Sequence, residues 1–266
     1  MHLKNLPTGL IPFLHSINGA SVAAIVLMGS HANNQAQTFS DIDLVRFVYS
    51  APEPLAGAGC YLVDDALVVV SDVKIETIGE YFTIPEKIID SMHGLRTAHV
   101  LVERDRFFAD LQKRAKEFTW SLEIQEKANQ WASEQMVGWM EEINKGLNGL
   151  QTNDIGRLLN AKFGLCWGLS RIIAVQKGIF STSDNAILTD IQYHLGIHSQ
   201  WCKLQLAAFG LSGNHTGIDG LKQDVIACLN LYQSTANLIQ SALVEPQKTM
   251  IERTCLRIDQ ELNQRS

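Results

Sequence analysis

The chain has 266 residues, 46% of them hydrophobic, and a formal net charge of −6. That length allows one large domain or two modest ones, each able to bury a core. The negative balance gives no general attraction to nucleic acid, which weighs against a polymerase-like role and suits a small-molecule substrate, including a cationic one.

Residues 8–18 predict a short helix or turn ahead of the first strand. Strands are predicted at 21–28, 42–49, 60–64 and 66–74, and Asp64-Asp65 between the last two is a turn pair that predicts a hairpin. A helical stretch near 76–91, a strand at 98–102 and a helix around Ala109-Asp110-Leu111 follow. The part ending near Phe118 is therefore expected as a mixed α/β domain over residues 1–118. Beyond it the strand signal stops. Ile124, Ala128, Trp131, Met136, Met140, Ile143 and Leu147 recur at the helical period and predict one helix over 121–149. Asn153-Asp154 can cap a helix running to Gly178, and Ser183-Asp184 can start the next. Further helices fit 198–209, 218–244 and 247–263, with a glycine-marked loop between 210 and 220. Residues 119–266 thus read as a bundle of five or six helices, and the fold class is α+β: an N-terminal α/β domain with a mixed sheet, then a C-terminal helical bundle.

The five cysteines, Cys60, Cys166, Cys202, Cys228 and Cys255, show no CxxC pair or Cys/His zinc spacing. They are expected as reduced core thiols in a cytoplasmic protein. The apolar runs Val22 to Met28 and Ala66 to Val70 are too short to span a bilayer, so no membrane partner is expected. The first residues lack a basic stretch followed by an apolar one, so no signal peptide is expected. Asn214-His215-Thr216 matches a glycosylation sequon, without meaning unless the chain is secreted.

The most informative segment runs Leu27-Met28-Gly29-Ser30-His31 to Ser40-Asp41-Ile42-Asp43-Leu44. It reads as an apolar strand ending in Gly-Ser, a polar connection, and a second strand carrying Asp-x-Asp. Side chains alternate along a strand, so Asp41 and Asp43 share one face. Two neighbouring carboxylates repel unless a cation neutralises them, and hard oxygen ligands with open positions suit Mg²⁺ held jointly with a substrate's phosphates. Gly29 lets backbone approach a phosphate, and Ser30 opens a helix whose free N–H groups favour an anion.

Gly29, Ser30, Asp41 and Asp43, between the runs Ala23 to Met28 and Leu44-Val45, resemble the nucleotidyltransferase superfamily related to DNA polymerase β. With the helical half, the layout resembles the kanamycin-type aminoglycoside adenylyltransferases. The resemblance implies transfer of a nucleoside monophosphate, AMP from ATP or from another NTP, to a hydroxyl of a small molecule such as an aminoglycoside-like antibiotic, with Mg²⁺ as cofactor and a role in antibiotic resistance. It implies Asp41 and Asp43 as catalytic metal ligands and Gly29 and Ser30 as the nucleotide cradle. It also implies a third carboxylate on a neighbouring strand. The position aligned with it is Val70, which cannot ligate, and Asp72, one strand step farther, either substitutes as a metal ligand or is simply exposed.

In kanamycin-type enzymes the helical domain supplies a Glu base and, four residues on, a Lys for the phosphates, a spacing matched here by Glu141 and Lys145. The equal alternative is an ordinary i,i+4 surface pair. His31 either touches a phosphate or is a polar loop residue, and Trp131, Trp139, Trp167 and Trp201 are core or line an acceptor pocket. No P-loop, Rossmann fingerprint or HExxH is present. Two rivals stand beside the enzyme: a degenerate nucleotidyltransferase-fold binding or regulatory protein, and a modifier of a protein partner. A homodimer that supplies part of the site is left open.

Overall fold

The computed structural model describes residues 6–50, 57–213 and 216–264, so the Asn214-His215-Thr216 sequon lies outside the fully described residues. The fold is α+β, and the chain divides into two compact units, Met1–Thr119 and Trp120–Ser266.

In the first unit, α1 (Leu10–Ile17) leads into β1 (Val22–Met28), and the four-residue helix α2 (Gly29–Ala32) precedes β2 (Ile42–Val48). β3 (Gly59–Val63) and β4 (Ala66–Lys74) form the expected hairpin, whose turn residues Asp64 and Asp65 take left-handed φ of 47° and 65°. α3 (Pro85–Thr97), β5 (His99–Glu103) and α4 (Phe107–Glu117) complete the unit. The five strands lie in the order β3-β4-β2-β1-β5, with β2 and β4 parallel and the other pairs antiparallel.

The two faces of the sheet are covered differently. On one, Ile25 and Leu27 of β1, Ile42, Leu44 and Val48 of β2, and Val68 and Val70 of β4 meet Leu10, Leu14 and Ile17 of α1 in a single apolar core. On the other, Phe47 of β2 packs against Phe107 and Phe108 of α4, with ring centroids 5.7 and 5.3 Å apart. The helix expected near 76–91 is instead a 3-10 segment, Ile75–Phe82, followed by α3, because Pro85 occupies the first turn of a new helix, where its missing N–H costs nothing.

The second unit is helical: α5 (Leu122–Gly138), α6 (Met140–Thr152), α7 (Ile155–Gln176), α8 (Ile187–Leu195), α9 (Gln200–Ala208), α10 (Gly217–Leu238) and α11 (Gln247–Asn263). The single helix expected over 121–149 is broken at Trp139. Gly138 weakens the helix there, and the Trp139 ring lies against Gly164 and Gly168 of α7, where a Cβ at Gly168 would fall 2.1 Å from Trp139 Cε2. Ser121, Asp154 and Ser199 cap α5, α7 and α9 by accepting backbone N–H bonds. α7 is long and apolar enough to cross a membrane by length and composition alone. Even so, 61% of its most apolar stretch is buried within the protein, as befits a core helix. The cysteines are free. Cys166, Cys202 and Cys228 are buried as expected, but Cys60 is exposed because β3 is an edge strand.

Candidate active site

The polar segment between β1 and β2 is built on backbone geometry. β1 ends at Met28, and Gly29 then turns the chain with φ +64°, a left-handed conformation that L side chains avoid. A Cβ at this position would stand 2.0 Å from Asp43 Oδ2, so the Asp43 carboxylate lies directly over the Gly29 Cα. Met28 and Asp43 are register partners, which explains the proximity: the glycine follows the last β1 residue opposite the aspartate. The Gly29 carbonyl accepts from Asn33 N (3.2 Å) and the Ser30 carbonyl from Gln35 N (2.9 Å), closing the turn. Two imidazoles hold its far side. His99 Nε2 donates to the Ala32 carbonyl (2.9 Å), and Asn33 Nδ2 donates to His93 Nε2 (3.2 Å). Four residues make α2 too short for a sizeable dipole, so what it offers an anion is the Ser30 hydroxyl and nearby N–H groups.

Asp43 is the second residue of β2, and Asp41 immediately precedes the strand. Strand alternation sends Ile42, Leu44 and Arg46 to one face and Asp43, Val45 and Phe47 to the other. Asp43, half-buried, therefore stands on the face opposite the α1 core and against Gly29, and half-buried Asp41 lies two residues before it.

The third-carboxylate expectation needs correction. β4 runs parallel to β2 with Asp43 beside Val69, Leu44 beside Val70 and Arg46 beside Asp72. The position next to Asp43 is thus Val69, not Val70, and it is apolar. Asp72 is on the other face of the sheet. Its two oxygens take a bidentate pair from Arg46, Nε to Oδ1 at 2.7 Å and Nη2 to Oδ2 at 2.8 Å, with side chains 9% and 2% exposed. Arg46 Nη1 also donates to the Ile17 carbonyl (2.9 Å). Asp72 is neither exposed nor a partner for the Asp41–Asp43 pair; it neutralises a buried guanidinium. The signal for this was an arginine on the apolar face of β2, between Leu44 and Val48.

Glu141 and Lys145 belong to α6 of the second unit. Lys145 Nζ contacts Glu141 Oε1 at 2.8 Å and Glu142 Oε1 at 3.0 Å. The Glu141 side chain is 74% exposed, and the Lys145 ammonium bonded to it holds its carboxyl below the usual range. Glu142 is the more buried of the two acids. His31 is half-buried in α2. Trp201 is buried and donates to Thr235 Oγ1 (2.8 Å), whereas Trp167 is half-exposed beside Phe209.

Among the described residues no group of three or more His, Cys, Asp or Glu side chains is arranged to hold a metal ion. The donor chemistry of Asp41 and Asp43 fits one hard divalent cation whose other ligands come from a bound phosphate, and the apolar Val69 offers nothing to a second cation.

No protein-family model and no curated protein matches the chain. Among solved structures it is similar to a nucleotidyltransferase-like protein from Exiguobacterium sibiricum 255-15, with 13% identity, a TM-score of 0.49, and coverage of 88% of this chain and 76% of that one.

Proposed function

We propose that this protein is a Mg²⁺-dependent nucleotidyltransferase that moves AMP from ATP onto a hydroxyl of a small molecule. The observation that carries this reading is the seating of Asp43 over Gly29, with Asp41 two residues before Asp43 and Ser30 next to Gly29 at the turn. Backbone and hydroxyl donors for phosphate thus adjoin two hard ligands for a cation that phosphate would share. Asp41 and Asp43 would hold that cation, whose chemistry there is to offset the triphosphate's charge. Gly29 leaves room for the Asp43 carboxylate against the main chain, and Ser30 would donate its hydroxyl to a phosphate oxygen. In the transfer, the acceptor oxygen forms a bond to the α-phosphorus, the bond to the pyrophosphate oxygen breaks, and pyrophosphate leaves. The acceptor's proton passes to water, because the β4 residue beside Asp43 is Val69 and supplies no base.

The same valine favours one second reading, a protein that binds metal–nucleotide without transferring it. Calorimetry with a non-hydrolysable ATP analogue, with and without Mg²⁺, followed by pyrophosphate release from ATP in the presence of hydroxyl acceptors, separates the readings. Mg²⁺-dependent binding with pyrophosphate release supports the enzyme. Binding without release across acceptors supports the second reading, and absence of Mg²⁺-dependent binding defeats both.

A further inference from the structure

The face that carries Asp43 continues sideways into an apolar shelf. Register places Asp43 of β2 beside Val69 of β4, and Val69 opposite Cys60 of β3, so the three share a face in one row across three strands. In the neighbouring row Leu67 pairs with Leu62, and continuation of the β2–β4 register brings Leu67 level with Asp41. Leu67 is 44% and Leu62 77% exposed, and Cys60 is exposed. Phe39, two residues before Asp41, is 98% exposed. Strands lie about 4.8 Å apart, so this shelf begins about 5 Å from Asp43 and extends to about 10 Å.

We propose that the shelf is the acceptor seat, and that the acceptor is a hydroxyl-bearing molecule with a flat, uncharged apolar face rather than a polycationic sugar. The inference rests on the nucleotidyltransferase reading, because the Asp pair is what fixes where the reacting hydroxyl must lie. Three points carry it. The shelf is continuous with the residues that would hold the nucleotide's metal. The β3 and β4 residues on this face, Cys60, Leu62, Leu67, Val69 and Ser71, include no carboxylate, so an ammonium group placed there would be desolvated without a partner. An aromatic or alicyclic ring laid over Leu67 and Val69 gains the ordinary apolar burial, while a hydroxyl at its edge points toward Asp43.

Methyl-labelled full-length protein, studied by NMR with Mg²⁺ and a non-hydrolysable ATP analogue, tests the idea with 2-naphthol and kanamycin as probes. The expected result is that 2-naphthol shifts the Leu62, Leu67 and Val69 methyl signals and slows alkylation of Cys60, whereas kanamycin does neither. Leu62→Lys, on the exposed edge strand one strand farther from Asp41, should weaken 2-naphthol binding at least tenfold while binding of the ATP analogue stays within twofold. Kanamycin shifting the same methyls would overturn the proposal, as would 2-naphthol leaving them unmoved or binding equally well to a folded lysine variant. Should 2-naphthol find the shelf while the ATP analogue fails to bind, the apolar site stands and the nucleotidyltransferase reading falls.

Discussion

β2 and β4 carry aspartates on both faces of one sheet, and the two faces treat them in opposite ways. Asp72, on the α1 side, is buried and fully engaged by Arg46, so its charge is used within the fold. Asp43, on the other side, lies over a glycine, beside Asp41 and next to Val69, with no cationic side chain at the adjoining β4 position. A buried carboxylate without its cation costs several kcal/mol, so Asp72 is explained by Arg46 alone. Asp41 and Asp43 are both half-buried, and Asp43 stands against the left-handed turn at Gly29. Residue type does not separate the acid paired with Arg46 from the acid over Gly29; the face of the strand does.

The largest effect expected is at the functional face. Asp43→Asn should lower Mg²⁺-dependent nucleotidyl transfer by about 10⁴-fold, equivalent to ~5.5 kcal/mol of transition-state stabilisation, with Asp41→Asn close behind. Thermal unfolding without metal should be unchanged or shifted upward, since one repelling charge is gone. Mn²⁺ binding followed by electron paramagnetic resonance, together with turnover, checks this. Wild-type metal affinity in both variants would remove the basis for assigning the site.

Asp72→Ala should do the reverse. It leaves Arg46 buried and unpaired, so stability should fall by ~3–5 kcal/mol, while the folded fraction keeps turnover near wild type. Chemical unfolding and active-site-normalised rates separate the two effects. A complete loss of turnover without loss of stability would show that Asp72 serves the metal after all.

Gly29→Ala tests the seam between turn and strand. The left-handed φ costs an alanine ~1–2 kcal/mol, and the new methyl would displace the Asp43 carboxylate. Transfer should drop by about tenfold through weaker metal affinity, and raised Mg²⁺ should restore part of it. Recovery would tie the defect to Asp43 rather than to general instability.

Much of this was legible before the structure. The strand at 66–74, the Asp64-Asp65 hairpin turn and the helix at 247–263 follow from local pattern, because period and turn chemistry are short-range properties. Gly29 meeting Asp43 did not follow, because it depends on the antiparallel register that sets Met28 opposite Asp43. The assignment of Asp72 did not follow, because which face of β4 adjoins Asp43 depends on inter-strand register, and a shift of one residue exchanges the faces. The break at Trp139 is not legible in the apolar period, which continues through it; its cause is a ring seated on glycines of another helix. The bonds of His93 and His99 to the turn after β1 left no local trace, because the histidines lie 60 and 67 residues along the chain from their partners Asn33 and Ala32.

The smallest effect expected is at Glu141. Its spacing to Lys145 matches a base-and-lysine pair, yet the same spacing is that of an exposed i,i+4 ion pair, and the geometry has the marks of the latter. The side chain is mostly exposed, Lys145 is shared with Glu142, and the Lys145 hydrogen bond holds the Glu141 carboxyl below its ordinary range. A carboxylate so lowered is a weaker proton acceptor than an unpaired one, and it stays ionised through neutral pH, losing its charge only as pH falls below the usual carboxylate range. Glu141→Gln should therefore leave kcat and its pH profile within about twofold of wild type, whereas a general base would show ~10²–10⁴-fold. Lys145→Ala should leave the affinity for the ATP analogue equally unmoved. Steady-state rates between pH 6 and 9 and calorimetry on both variants decide the matter. A large fall in kcat with intact nucleotide binding in Glu141→Gln would make Glu141 the base and return the second unit to the chemistry.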